Sequence, residues 1–287
     1  MILFPNAKIN LGLHVLRRRP DGYHDIETLM VPVAWTDILE IVPAAPGEPT
    51  SLTTTGRPVD CPPEKNLVMK AWRALAATRP DMPHARIFLR KIVPDGAGLG
   101  GGSADAAFTL MGLNRLFALG LSDEQLARIA AGIGADCPFF IYNRPMLATG
   151  TGTTLSPARI NLDGLHAAIA KPEGRSVSTA AAYAGITPCQ RKISLEAALA
   201  MPREEWSTTL HNDFEPSVGA ILPEIDALKQ HMTRAGALYT AMSGSGSSVF
   251  GLFRSAKMAE QALRGLDGCA SWSGPLSGSA LMNDIAS

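Results

Sequence analysis

One stretch constrains this chain more than any other: Pro94-Asp-Gly-Ala-Gly-Leu-Gly-Gly-Gly-Ser-Ala-Asp-Ala-Ala107. Five of its residues are glycine (Gly96, Gly98, Gly100, Gly101 and Gly102), and they run straight into an Ala-rich segment. The apolar alternation of Arg86–Val93 before it reads as a strand, and the segment from Ser103 to about Leu119 reads as a helix. Strand, glycine loop and helix together present many backbone N–H groups to an anion. Glycine adopts positive φ and has no side chain to block close approach. Successive N–H groups then form an anion-binding concavity, and the helix adds free donors and the positive end of its dipole. A flexible surface turn has no need of five glycines against a helix start.

The loop is not a Walker A loop, because no Gly-Lys-Ser/Thr follows the glycines. It does contain a formal GxGxxG at Gly96, Gly98 and Gly101. A dinucleotide-binding unit also needs a second strand ending in Asp or Glu about 20 residues further on. Here a second helix follows instead, opened by the capping-box pattern Ser122-Asp-Glu-Gln125. A nucleotide-dependent kinase therefore ranks above an oxidoreductase.

The 287 residues suffice for two modest domains, and 46% apolar with 18% charged residues suits a compact chain that buries a core. The formal net charge is zero, so nothing draws the chain to nucleic acid, and a phosphorylated substrate must be met by local groups. Cys61, Cys137, Cys189 and Cys269 lie far apart, with no CxxC and no metal-like spacing; no metal site is expected. Scattered cysteines and a short, polar start without a signal-peptide pattern imply a cytoplasmic protein, and no apolar run reaches the about 18 residues of a membrane span.

The chain opens on strands. In Ala7–Leu16 the residues Ile9, Leu11, Leu13 and Val15 fall on one face and Lys8, Asn10, Gly12 and His14 on the other. Glu27–Val33, Asp37–Val42 and Thr50–Gly56 read as further strands, and Pro62-Pro63-Glu64 as a helix start. Leu126, Ile129 and Ile133 mark the buried face of the helix after Ser122, with Gly134 as its C-cap. Met146–Thr154 reads as a hairpin. The second half reads as strands at Leu165–Ala170, Ala237–Met242 and Val249–Phe253, and helices near Ser194–Met201, Pro223–Arg234 and Ala256–Leu266. Ser271–Ser279 reads as a loop before a last short strand. Strands and helices mix without regular βαβ alternation, which predicts an α+β fold.

Three motifs in order resemble those of the GHMP kinases, which include galactokinase, homoserine kinase and mevalonate kinase. Ala7-Lys-Ile-Asn-Leu-Gly-Leu13 resembles their first motif, the loop from Pro94 to Ala104 their second, and Met242-Ser-Gly-Ser-Gly-Ser247 their third. Pro5–Asn10, Arg19-Pro-Asp-Gly-Tyr-His24, Asn66-Leu67, Gly134-Ala-Asp-Cys-Pro-Phe139 and His211–Glu215 are similar to the branch that phosphorylates a tertiary hydroxyl of a cytidyl diphosphate substrate on a route to isoprenoid precursors. The resemblance implies two domains. An N-terminal ribosomal-S5-like domain would span 1–156 and a C-terminal ferredoxin-like domain 157–274, with a last strand near 275–287 returning to the first.

The resemblance also implies the site. Asp136 takes the proton of the acceptor hydroxyl and Lys8 sits beside it. Pro94, Asp95, Gly96, Ala97, Gly98, Leu99, Gly100, Gly101, Gly102, Ser103 and Ala104 hold the ATP phosphates, with the Asp95 side chain turned to solvent. Asn66 lies by the adenine, and Mg²⁺ arrives on ATP. Asn10, Tyr23, His24, Thr179 and Tyr183 bind the small-molecule substrate, the tyrosines stacking on cytosine. His211–Glu215 reads as structural. No nucleic acid or membrane partner is expected, and the chain is expected to be a monomer or a weak homodimer. The competing readings are another kinase of the family, acting on homoserine or mevalonate, and a non-catalytic ligand-binding member. Retention of Lys8 and Asp136 speaks against the second.

Overall fold

The computed structural model describes residues 1–59, 61–189 and 191–279. Strands dominate its start: β1 (Ile2–Leu3), β2 (Asn6–Arg18), β3 (His24–Thr36), β4 (Ile38–Pro43) and β5 (Ser51–Gly56). Helix α1 (Leu67–Thr78), strand β6 (Ala85–Lys91) and helices α2 (Gly101–Leu116), α3 (Asp123–Ala131) and α4 (Cys137–Tyr142) follow. Then come β7 (Met146–Thr149), β8 (Thr154–Pro157), β9 (His166–Pro172), α5 (Thr179–Ala184), α6 (Leu195–Leu199), α7 (Trp206–Thr209), α8 (Glu215–Ile221) and α9 (Glu224–Arg234). Strands β10 (Tyr239–Met242) and β11 (Val249–Phe253), helix α10 (Ala256–Ala262) and strand β12 (Cys269–Pro275) close the described chain.

The strands form three four-stranded sheets, ordered β1-β4-β6-β5, β2-β3-β7-β8 and β10-β11-β9-β12. In the first, Ala85, Ile87 and Leu89 of β6 point inward and Arg86, Phe88 and Arg90 outward, as a period of two requires. Their inward face packs with Leu39 and Ile41 against Phe108, Leu110 and Leu113 of α2. The β9 run Ala167-Ala-Ile-Ala170 is buried on both faces. Ala167 and Ile169 join a core with Ile9, Leu11 and Val31, whereas Ala168 and Ala170 meet Val218, Ile225 and Met232 of the C-terminal helices. The third sheet is thus sandwiched between the β2-β3 sheet and helices α8 to α10.

Strand β2 departs from simple alternation. Its pairing with β3 shifts register between Leu11 and Leu13, at Gly12, which has φ +68°. A Cβ there would lie 2.5 Å from Leu195 Cδ1. This bulge redirects the strand, so Leu13 and Val15 pack in a different cluster from Ile9 and Leu11.

Local endings also differ from expectation. Helix α2 begins at Gly101, two residues before Ser103, because Gly100 in the left-handed region (φ +71°) makes the turn into it. Pro63–Lys65 is one turn of 3₁₀ helix, and α1 is separately capped by the Asn66 side chain, which accepts from Val68 N. Helix α3 has the Ser122 capping box but ends at Gly132, not Gly134. Ser271–Pro275 is strand, because β12 extends along the β9 edge from Cys269. The strand expected near 275–287 falls largely outside the described residues. Among the described residues, no helix is long and apolar enough to cross a membrane.

Candidate active site

A cleft of about 460 Å³ is lined by Lys8, Asn10 and Thr28 from β2 and β3, by the glycine loop, by Asp136, by Thr179 and Tyr183 of α5, and by Gly244–Gly246. The glycine loop and the Ser243–Ser247 turn are pressed together on its floor. Gly98 has φ +73°, and a Cβ there would stand 1.9 Å from Ser243 O. Gly98 O accepts from Ser243 Oγ at 2.8 Å and from Lys8 Nζ at 3.0 Å. Ser248 N donates to Ala97 O and Lys8 N to Leu99 O. Three consecutive loop carbonyls, of Ala97, Gly98 and Leu99, are therefore buttressed from below. Ala97, Leu99 and Ala104 are buried in the protein, whereas Asp95 and Gly96 are exposed.

Lys8 is buried on the strand floor. Its Nζ donates to Asn10 Oδ1 at 2.5 Å and lies 3.5 Å from Asp136 Oδ2. Asn10 Nδ2 donates to Thr28 Oγ1 at 3.0 Å, and Thr28 Oγ1 donates to Gly12 O at 2.6 Å. This chain of bonds fixes the ammonium in one place. Asp136 stands in the turn before α4, at its N-cap position, yet its side chain makes no capping bond. With about a third of that side chain open, the carboxylate faces the cleft instead of serving the helix.

Tyr183 and Phe214 line the cleft and meet edge-on, and the His24 ring, which is not among the described residues lining it, stacks on Tyr183 with centroids 4.7 Å apart and planes 21° from parallel. Burial pushes the Tyr183 phenol up, and the Asp136 charge adds to this, so the ring stays neutral. Thr179 Oγ1 lies 3.2 Å from Ser245 Oγ. Tyr23 is 68% exposed at the tip of its turn and is not among the described residues lining the cleft.

The chain matches two family models, "GHMP kinases N terminal domain" over residues 66–144 and "GHMP kinases C terminal" over 194–270. Among curated relatives, a 4-diphosphocytidyl-2-C-methyl-D-erythritol kinase of Parabacteroides distasonis is 49% identical over 96% of this chain and 100% of its own length. The chain belongs to the GHMP kinase family. A Porphyromonas gingivalis protein of the same name is 46% identical over 95% of this chain and 98% of its own. A crystal structure of 4-(cytidine 5'-diphospho)-2C-methyl-D-erythritol kinase superposes with a TM-score of 0.83 at 32% identity, covering 97% of this chain and all of that one. A homoserine kinase from Cytophaga hutchinsonii, at 21% identity and TM-score 0.76 over 97% of this chain and 95% of its own, shares the fold. The α+β, two-part arrangement of the family is the one described above.

This GHMP kinase thus gathers Lys8, Asn10, Asp136, Thr179, Tyr183 and most of the glycine loop around one cleft. Asn66 lies apart, on a smaller adjoining cavity shared with Leu67, Lys91, Gly102 and Asp105. Three features escaped sequence reasoning. Thr28 and Ser243 complete the Lys8 network; nothing in its local pattern separates Thr28 from an ordinary strand residue, and Ser243 lies in the third motif but had no role assigned. Lys91 is buried with Asp37 and Asp105 under the loop; burial, followed by the charge of Asp37, raises the Asp105 carboxyl against the pull of Lys91. The His211–Glu215 stretch also acquires a physical account. Asn212 Nδ2 donates to Met242 O at 2.7 Å and Gly244 O at 2.8 Å, Asp213 Oδ2 accepts from Val15 N, and Glu215 Oε1 from Met242 N. It ties β2 to the turn that braces the glycine loop.

Proposed function

We propose that this kinase transfers the γ-phosphoryl group of ATP to the 2-hydroxyl of 4-diphosphocytidyl-2-C-methyl-D-erythritol, releasing ADP, on the non-mevalonate route to isoprenoid precursors. The observation that carries this is the Lys8–Asp136 pair beside a glycine loop, in one cleft with the Tyr183 ring, which stacks on His24. The names and near-complete coverage of the relatives support the choice of acceptor.

The loop fits a triphosphate. Gly98 and Gly100 hold positive φ in places that a Cβ would fill, and the first turn of α2 presents its amides there. Ser103, inside that first turn, supplies a hydroxyl for a hard cation, and Mg²⁺ carried by ATP neutralises phosphate charge when bound. Phosphoryl transfer asks the protein chiefly for positioning and charge stabilisation. Asp136 accepts the proton of the attacking hydroxyl as the new P–O bond forms. Lys8, held by Asn10 and Gly98 O, keeps that carboxylate in place and stabilises charge on the transferring group. Asn10 orients Lys8, since its own amide is already engaged with Thr28 and Lys8. Tyr183 supports the cytosine ring by stacking, with His24 behind it. Thr179 and Ser245 meet the diphosphate.

The test is ADP release with Mg-ATP and one acceptor at a time: the cytidyl substrate, mevalonate, homoserine and galactose. Turnover with the cytidyl substrate alone supports the reading. Turnover with another acceptor keeps the ATP loop and overturns the role given to Tyr183 and His24.

A further inference from the structure

Asp37 lies at the junction of β3 and β4 and is fully buried, 55 residues before the segment it holds. Its Oδ1 accepts from Ile92 N at 2.5 Å and Val93 N at 2.8 Å. Its Oδ2 accepts from Lys91 Nζ, and the same ammonium donates to Asp105 Oδ2 at 2.7 Å. Lys91 ends the strand entering the glycine loop, Ile92 and Val93 follow it, and Asp105 lies in the helix leaving the loop. Both ends of the loop are therefore fastened to one buried point. The lysine passes directly beneath the helix start: a Cβ on Gly101 would lie 3.4 Å from Lys91 Nζ and 3.2 Å from Val93 Cγ1. Asp37 N in turn donates to Pro5 O, three residues before Lys8.

We propose that Asp37 is a positioning residue for ATP binding, acting through Lys91 and Asp105 to hold the glycine loop in its phosphate-receiving shape before nucleotide arrives. The inference rests on reading residues 94–104 as the ATP loop. None of the three is among the described residues lining the catalytic cleft; Lys91 and Asp105 reach the adjoining cavity beside Asn66, whereas Asp37 lines neither, so the effect of Asp37 passes through the loop backbone and that pair. Burying two carboxylates and an ammonium is costly, and well-packed apolar side chains are often equally or more stabilising. What the ion cluster supplies is direction. Two backbone amides and a helix residue are locked to fixed donors and acceptors, so ordering of the loop is not charged against nucleotide affinity.

Asp37→Asn tests this. The amide oxygen can still face Ile92 N and Val93 N, but the amide NH₂ then confronts the Lys91 ammonium, donor against donor. With Lys8 and Asp136 untouched, the expected result is a rise of about tenfold or more in the dissociation constant of a non-hydrolysable ATP analogue, measured by calorimetry. The acceptor KM at saturating ATP should stay within twofold. A folded Asp37→Asn enzyme of lower Tm but unchanged nucleotide affinity and unchanged KM values overturns the proposal, since the cluster is then only structural. If the variant does not fold, amide hydrogen exchange of the nucleotide-free wild type decides. Slow exchange at Ile92 and Val93, the amides that Asp37 holds, supports a pre-ordered loop entry, and fast exchange there that slows only with the analogue overturns it. Wild-type protein that binds no analogue removes the loop assignment itself, and this inference with it.

Discussion

Lys8 Nζ lies 3.5 Å from Asp136 Oδ2, although the two residues are 128 positions apart and belong to a strand and a short helix. Lys8 is fixed by Asn10 and Gly98 O, and its ion pair holds the Asp136 carboxylate, which makes no capping bond at the start of α4. The pair is thus pre-set for an acceptor hydroxyl. Asp136→Asn should lower kcat by about 10²- to 10⁴-fold, the span typical of a lost general base. Lys8→Met, which keeps the volume, should lower it by about 10²- to 10³-fold. Steady-state kinetics with the acceptor varied at saturating Mg-ATP checks both, and an Asp136→Asn enzyme with normal turnover would contradict the roles.

Gly98→Ala places a methyl group 1.9 Å from Ser243 O at a φ of +73°. Backbone has to move, and the loop and its brace come apart. We expect ATP KM to rise at least tenfold and Tm to fall, with a strain cost of about 1–3 kcal/mol before the clash is counted. Gly22→Ala, also at positive φ but with nothing within 4 Å, is the control and should leave ATP KM unchanged.

Tyr183→Ala removes the ring that stacks on His24 at the cleft wall. Base-aromatic stacking contributes about 1–3 kcal/mol, so the KM for the cytidyl substrate should rise about ten- to hundredfold. Tyr23→Ala, at an exposed turn, should raise it less. Equal rises in both KM values for Tyr183→Ala would argue against base stacking.

Burial pushes the Cys137 thiol, next to Asp136, up to about 11. The folded protein therefore keeps this proton while an unfolded chain begins to lose it near 9.0. The stability it contributes is complete below the unfolded value and is lost as pH rises through the folded one. Cys137→Ala should flatten the fall in Tm between about pH 9 and pH 11. Peptide mapping after iodoacetamide treatment at pH 8 should find the wild-type Cys137 unmodified, because the thiolate is the reactive form.

Asn212→Ala leaves Met242 O, Gly244 O and Phe214 N without their side-chain partner inside the protein. The expected loss is about 3 kcal/mol, read as a lower urea midpoint. It should be accompanied by weaker ATP binding, because the same turn braces Gly98.

Much of this was legible in the chain itself. The glycines of 96–102 announced backbone presented to phosphate, and the alternation of β2 placed Lys8 and Asn10 on one polar face. Residues whose work depends on distant partners were not legible. Asp37 and Lys91 look like ordinary strand-end charges until the fold buries them together with Asp105. Asn212 reads only as part of a structural stretch until β10 and the turn after it bring Met242 O and Gly244 O to its amide. The Gly12 bulge defeats a count of two, so the side chains beyond it could not be assigned to a core from spacing. Tyr23, read with Tyr183 as a stacking ring for cytosine, is 68% exposed at the turn tip, and it is His24 that stacks on Tyr183.

The central claim is that this cleft phosphorylates one hydroxyl of one cytidyl substrate, and ³¹P NMR of the reaction mixture tests it most directly. Incubation of the enzyme with Mg-ATP and 4-diphosphocytidyl-2-C-methyl-D-erythritol should produce ADP and one new phosphomonoester resonance in equal amounts, with the substrate's diphosphate linkage intact, and neither should form with Asp136→Asn. ADP accompanied only by inorganic phosphate, or a cleaved diphosphate, would contradict it.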